Sequence, residues 1–115
     1  FEKVAAASRP YPEAVSLEDR GAIIEEFLSV FDPSDSKEGW FDKCKEIARK
    51  TGYAPGMKEY RADPASFKGH IGDVTMVLRV ALSGLQQTPD LHEIMAVLGE
   101  ARVRQRLRRG VEGAR

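Results

Sequence analysis

The residues best equipped for chemistry in this chain are basic. Arg102, Arg104, Arg106, Arg108 and Arg109 crowd one short stretch, and each guanidinium offers a planar fork of donors suited to phosphate oxygens or base edges. Arg102, Arg106 and Arg109 recur at helical spacing and so share one face. A second group lies upstream: Arg79, then Gln86 and Gln87 in a polar connection, then Thr88, Pro89 and Leu91. Reactive types are otherwise sparse. His70 and His92 fall on different predicted elements, and a metal would need both plus carboxylates from other segments. The lone Cys44 precludes an intramolecular disulfide and a cysteine zinc cage. It sits in an apolar stripe, which favours a buried structural thiol over a nucleophile. Trp40, in the same stripe, reads as core. There is no Gly-rich phosphate loop, paired-histidine helix or nucleophile elbow. Carboxylate pairs for acid–base work need a cleft, for which a small helical unit has little room. Binding, not catalysis, is the expected business of the chain.

The elements that must position these residues are helical. Ser16 followed by Asp19 suits a helix start, and Ile24, Phe27, Leu28 and Phe31 then recur on one face. Asp32-Pro33 ends that helix, because proline disfavours helical geometry in the residue before it. A second helix is predicted over 37–50, with Trp40, Phe41, Cys44, Ile47 and Ala48 as its stripe and Thr51-Gly52 as its stop. Breakers at Pro55-Gly56, Asp63-Pro64 and Gly69 leave two short helical turns, near 57–61 and 64–68. The clearest helix follows, with Ile71, Val74, Leu78, Ala81 and Leu82 on one face and Gly84 as its cap. Thr88-Pro89 then supplies a cap and first-turn proline for a helix bearing Leu91, Ile94, Met95 and Leu98. A last helix is expected over 100–109, stopping before Gly110. No segment alternates with period two, so the class is all-α. Residues 1–15 read as a linker or the end of a preceding element, and 16–115 as one helical domain.

Composition narrows the partners. With 115 residues the length suits one domain, and 18 basic side chains balance 18 acidic ones. The balance hides an asymmetry: residues 1–60 carry nine basic and twelve acidic groups, residues 61–115 nine and six. The basic half tolerates phosphate, although a cationic helix end also has an ordinary electrostatic purpose. No apolar run is long enough to span a membrane. No signal-peptide pattern is evident near Phe1, so a cytoplasmic piece of a longer protein is expected.

Several stretches carry a resemblance. The run Gly72-Asp73-Val74-Thr75-Met76-Val77-Leu78-Arg79-Val80-Ala81-Leu82-Ser83-Gly84 resembles the G-x-V-x-x-P-L-R-x-A-L-T-G segment of bacterial glutamyl-tRNA synthetases. Thr88-Pro89-Asp90-Leu91 is similar to the T-P-x-L turn after it. Val97 to Val103, with the arginines beyond, looks like the L-G-x-E-R-x-x-x-R-L closing helix, and Trp40-Phe41 through Gly52 resembles the helix ahead of the segment. The likeness is collinear over about 16–109. Departures are Val77 for proline, Ser83 for threonine, Ala101 for arginine, and a longer insert over 53–70 that holds Tyr60 and Phe67. His70-Ile71-Gly72 also echoes the catalytic His-Ile-Gly-His signature of class I synthetases, but no strand precedes it and Asp73 replaces the last histidine.

The resemblance implies a C-terminal anticodon-binding domain, a compact cage of five to six helices without catalytic residues. It implies tRNA as partner, the glutamate-accepting kind. ATP with magnesium would serve the parent's separate catalytic domain, with no cofactor in this fragment. By implication Arg79, Gln86, Gln87, Thr88, Pro89 and Leu91 meet the anticodon, while Arg102, Arg106 and Arg109 follow the backbone. Single-stranded RNA is read through everted bases that pack on apolar or guanidinium surfaces. Backbone contacts add salt-dependent affinity without sequence reading. From the residues alone, Arg79 suits an ion pair equally well, Thr88 a plain cap, and Leu91 the core. A helical protein–protein module is the rival function. A helix-turn-helix DNA binder is disfavoured by Asp90 and Glu93 at the front of its would-be recognition helix. A monomer is expected, with no DNA or membrane partner.

Overall fold

The structure, a computed structural model, describes residues 11–12, 15–85 and 90–114. Six α-helices follow in order: α1 (Leu17–Val30), α2 (Lys37–Thr51), α3 (Met57–Ala62), α4 (Ile71–Ser83), α5 (Leu91–Leu98) and α6 (Glu100–Gly113). A 3-10 turn, Pro64–Ser66, follows α3, and no strand forms among the described residues. The all-α expectation holds.

Local chemistry accounts for most boundaries. The Ser16 hydroxyl accepts from the Asp19 N–H at 3.1 Å and opens α1; Ser36 does the same for α2 through the Gly39 N–H. Gly52 and Gly84 close α2 and α4 with φ of 91° and 77°, a left-handed geometry that favours glycine. The start of α4 is a capping box: His70 Nδ1 accepts from the Gly72 N–H, and the Asp73 carboxylate accepts from the His70 N–H, both at 3.0 Å. The signature-like His-Ile-Gly stretch is thus a helix cap.

Two expected boundaries are corrected. α5 begins at Leu91 with Asp90 as its N-cap, not at Thr88-Pro89, which lie outside the described residues. Asp90 wins because its carboxylate accepts from the His92 N–H while Lys37 holds it at 2.6 Å. α6 runs through Gly110 to Gly113 rather than stopping at Arg109. Gly110 serves close packing there: a Cβ would fall 2.8 Å from Ile24 Cδ1 and 3.5 Å from the Ala81 Cβ. Removing that carbon lets α6 lie against α1 and α4 together.

The core fills the space between α1, α2, α4 and α6. Ile23, Ile24 and Phe27 meet Trp40, Cys44, Ile47, Val74, Val77, Leu78, Leu82, Val103 and Leu107, all buried. Cys44 is the structural thiol expected, and burial pushes its pKa up to about 12. Tyr53, from the insert, is fully buried, and its hydroxyl donates to Asp19 Oδ2 at 3.0 Å. Burial and that carboxylate both raise its pKa. The insert is clipped at its neck, where the Lys68 N–H donates to the Gly52 carbonyl and the Ala54 N–H to the Gly69 carbonyl. Beyond the neck, Tyr60 packs edge-on against His70 with ring centroids 5.2 Å apart, and Phe67 is half-buried. Upstream of α1, Tyr11 stacks under the Arg20 guanidinium at 4.1 Å, and Val15 joins the core.

Candidate nucleic-acid interface

Of the predicted site residues, the end of α4 carries Arg79 and receives Arg106. Arg79 lies one turn before that end. It is half-buried, its Nε–H is enclosed without a hydrogen-bond partner, and no acid among the described residues pairs with it. Enclosed donors are nearly always paired, and Arg79 shares this lack with Arg20 Nε–H and Trp40 Nε1–H. Past Gly84 the chain emerges: Leu85 is 50% exposed and leads into 86–89. Gln86, Gln87, Thr88 and Pro89 fall outside the described residues. Leu91, on the far side, is 1% exposed, so it belongs to the core and offers no open wedge.

The connection is tied down where α5 begins. Lys37, the first residue of α2, pairs with Asp90, and each shifts the other: the ammonium holds the carboxyl below the ordinary carboxylate range, and the carboxylate raises the lysine. His92 Nε2 lies 3.0 Å from the Asp35 carbonyl oxygen, and its ring packs on Trp40 with centroids 5.9 Å apart. Periodicity could not reveal these ties, since the partners are over 50 positions apart in the chain. Asp90 itself was readable, because aspartate caps helices at least as well as threonine.

The arginines of α6 divide. Val103, Leu107 and Val111 face the core, and Arg102, Arg108 and Arg109 are exposed. Arg106, between Arg102 and Arg109 on their face, is half-buried and donates from Nη1 to the Leu82 carbonyl. It thereby joins the basic stripe to the end of α4, three positions from Arg79. Arg104 turns elsewhere: Nη2 donates to the Phe31 carbonyl at 3.2 Å, Nη1 to the Leu28 carbonyl at 3.5 Å, and Nε to Glu100 at 3.0 Å.

A cleft of about 220 Å³ lies elsewhere, at the α1–α2 connection. Phe31, Trp40, His92 and Met95 line it together with Asp32, Asp35 and Glu100, a carboxylate rim that repels phosphate. Among the described residues no three His, Cys, Asp or Glu side chains are grouped to hold a metal ion, and no helix is long and apolar enough to cross a membrane.

The anticodon binding domain family matches residues 64–111, which spans α4, the connection, α5 and most of α6. A glutamate–tRNA ligase of Sorangium cellulosum is 54% identical over 99 residues, 86% of this chain and 17% of that protein. That of Acetivibrio thermocellus is 39% identical over 109 residues, 95% of this chain and 20% of its own length. One from Clostridium perfringens is 36% identical over 107 residues, 93% of this chain and 20% of that protein. The chain therefore spans about a fifth of the length of these curated relatives. No solved structure matches it significantly. Taken with the helical fold, these matches identify the chain as an anticodon-binding domain of the glutamate–tRNA ligase family.

Proposed function

We propose that the end of α4 and the connection after it read unpaired anticodon bases of a glutamate-accepting tRNA. The observation that carries this reading is the Arg106–Leu82 bond, which sets the basic stripe of α6 beside Arg79, itself free of any acid partner among the described residues. Arg79 supplies a fork for a base edge or phosphate, and Gln86 and Gln87 supply donors and acceptors for base edges. Thr88 and Pro89, which precede the Asp90 cap in sequence, complete the proposed reading set. Leu91 supports this surface from within the core. Arg102 and Arg109 follow the tRNA backbone, while Arg106, between them on the helix, has a donor committed to the Leu82 carbonyl.

In this reading, residues 16–115 are the recognition domain of a longer cytoplasmic, monomeric ligase. Its ATP- and magnesium-dependent attachment of glutamate to tRNA takes place outside this chain. DNA and membranes are not partners.

Binding to anticodon stem-loops tests the proposal. Arg79→Ala should cost about 1–3 kcal/mol of discrimination between the glutamate anticodon and an altered one, the scale of one base-directed contact. Arg109→Ala should weaken both stem-loops alike and lower the salt slope by about one. Unchanged discrimination in Arg79→Ala would make that residue structural. Failure of the wild type to bind either stem-loop would leave a helical protein–protein module as the better reading.

A further inference from the structure

One arginine of the basic stripe is turned inward at the site itself. The Leu82 carbonyl that receives Arg106 is among the last four of α4, which have no acceptor role inside the helix. Two carbonyls earlier in that turn, those of Arg79 and Val80, are satisfied locally. The Ser83 hydroxyl donates to the Arg79 carbonyl at 2.7 Å, and the Gly84 N–H donates to the Val80 carbonyl at 2.7 Å. Ser83 Oγ also accepts from the Leu85 N–H at 3.1 Å. Arg106 adds a grip from 24 positions away, and its cation complements the negative end of the helix dipole. Immediately beyond, the chain turns through Gly84 in the left-handed region and emerges at Leu85. The direction in which Gly84 and Leu85 leave the helix therefore depends on where Leu82 is held. The other end of the connection is held independently, by Lys37 on Asp90 and by His92 on the Asp35 carbonyl.

We infer that Arg106 is a positioning residue: it governs base discrimination through the Leu82 carbonyl, not through contact with phosphate. The inference rests on the anticodon-reading function proposed above. A phosphate contact and a positioning contact differ in what they leave behind. Loss of a phosphate contact weakens all stem-loops alike and flattens the salt dependence. Loss of a positioning contact erodes the preference for one anticodon and leaves the salt slope alone.

Arg106→Met keeps the aliphatic bulk and removes the donors. Affinities are measured for the glutamate anticodon stem-loop and for one with an altered anticodon, across a salt series. The ratio between them should fall about five- to tenfold, the scale of a modest coupling, with the slope of log affinity against log salt unchanged. An equal loss for both with a shallower slope overturns the inference, and so does no loss for either. Arg106→Lys, which can still donate to the carbonyl, should recover part of the ratio; recovery of affinity without the ratio overturns it. Amide hydrogen exchange in the free chain supplies a readout that needs no RNA. In Arg106→Met the Gly84 and Leu85 amides should exchange about tenfold faster, as expected for local opening, with the Leu78 amide unaffected. Unaltered exchange at Gly84 and Leu85 overturns the positioning role. Should the wild type bind no stem-loop, the function proposed above fails, while the exchange result still decides whether Arg106 holds the end of α4.

Discussion

The C-terminal ends of α1 and α4 are both gripped by arginines of α6, yet the two ends are built for different purposes. At α1, Arg104 reaches the Leu28 and Phe31 carbonyls and lies over the Phe31 ring at 5.2 Å, while Lys43 Nζ donates to the Val30 carbonyl at 2.8 Å. Lys43 also pairs with Asp35 at 2.5 Å, and the Asp32 carboxylate accepts from the N–H and hydroxyl of Ser34. Those Ser34 hydrogen bonds hold the Asp32 carboxyl below the usual carboxylate range. Backbone carbonyls there are satisfied from several directions, although the enclosed Trp40 Nε1–H beside them has no partner. At α4 the distant side chain that grips the end among the described residues is Arg106, Leu85 stands out toward solvent, and Arg79 keeps an enclosed N–H without a partner. One end is riveted, the other is held more lightly. What separates the two ends is the exposure of Leu85 and the number of carbonyls gripped, since an enclosed unpaired N–H is found at both.

Three perturbations would break or sharpen that contrast. The largest effect is expected from Gly110→Val, which forces side-chain carbons toward Ile24 and Ala81 and pushes α6 away from both helices at once. Overpacking of this kind should cost about 2–3 kcal/mol in urea unfolding. A cost below about 0.5 kcal/mol, the range of ordinary surface changes, would mean that α6 slides to make room and the two ends are not coupled through it. Arg104→Met comes next, at about 1–2 kcal/mol for its carbonyl hydrogen bonds, with discrimination between anticodon stem-loops unchanged. If discrimination falls further than stability, the division of labour between the two ends is wrong.

The smallest effect concerns Asp90. Its pKa is lowered in the fold, first by the Lys37 hydrogen bond, so its contribution to stability is present above the ordinary value of 3.8 and is lost as pH falls through the folded value. The wild type should lose slightly more thermal stability between pH 5 and pH 3 than Asp90→Asn, which keeps a capping oxygen and does not titrate. Parallel pH profiles for the two proteins would show that the Lys37–Asp90 tie adds nothing.

Much of the fold was legible because its signals are local. Ser16, Gly52 and Gly84 mark boundaries through the geometry of the residues next to them, and the stripes of α1, α2 and α4 repeat within a few turns. Gly110 misled for a physical reason. A glycine that ends a helix and one that admits a neighbouring helix look identical in sequence, and only φ and the distance to Ile24 separate them. Asp90 was passed over for Thr88 because the lysine that favours it lies on α2. Tyr53 gave no core signal, since it sits among turn residues and its partner Asp19 belongs to α1.

For the candidate site the same boundary applies. The helical class, the face shared by Arg102, Arg106 and Arg109, and Arg79 one turn before a glycine cap follow from spacing, because side-chain direction on a helix is set by 3.6 residues per turn. Which arginines are spent inside the molecule does not follow from spacing. Arg104 and Arg106 differ by two positions, enough to turn one toward α1 and the other toward α4, and their acceptors are backbone carbonyls that every sequence contains. Carbonyls are chosen as partners by the way helices pack, so the division between rivet and reading surface arises only when α6 is laid across α1 and α4.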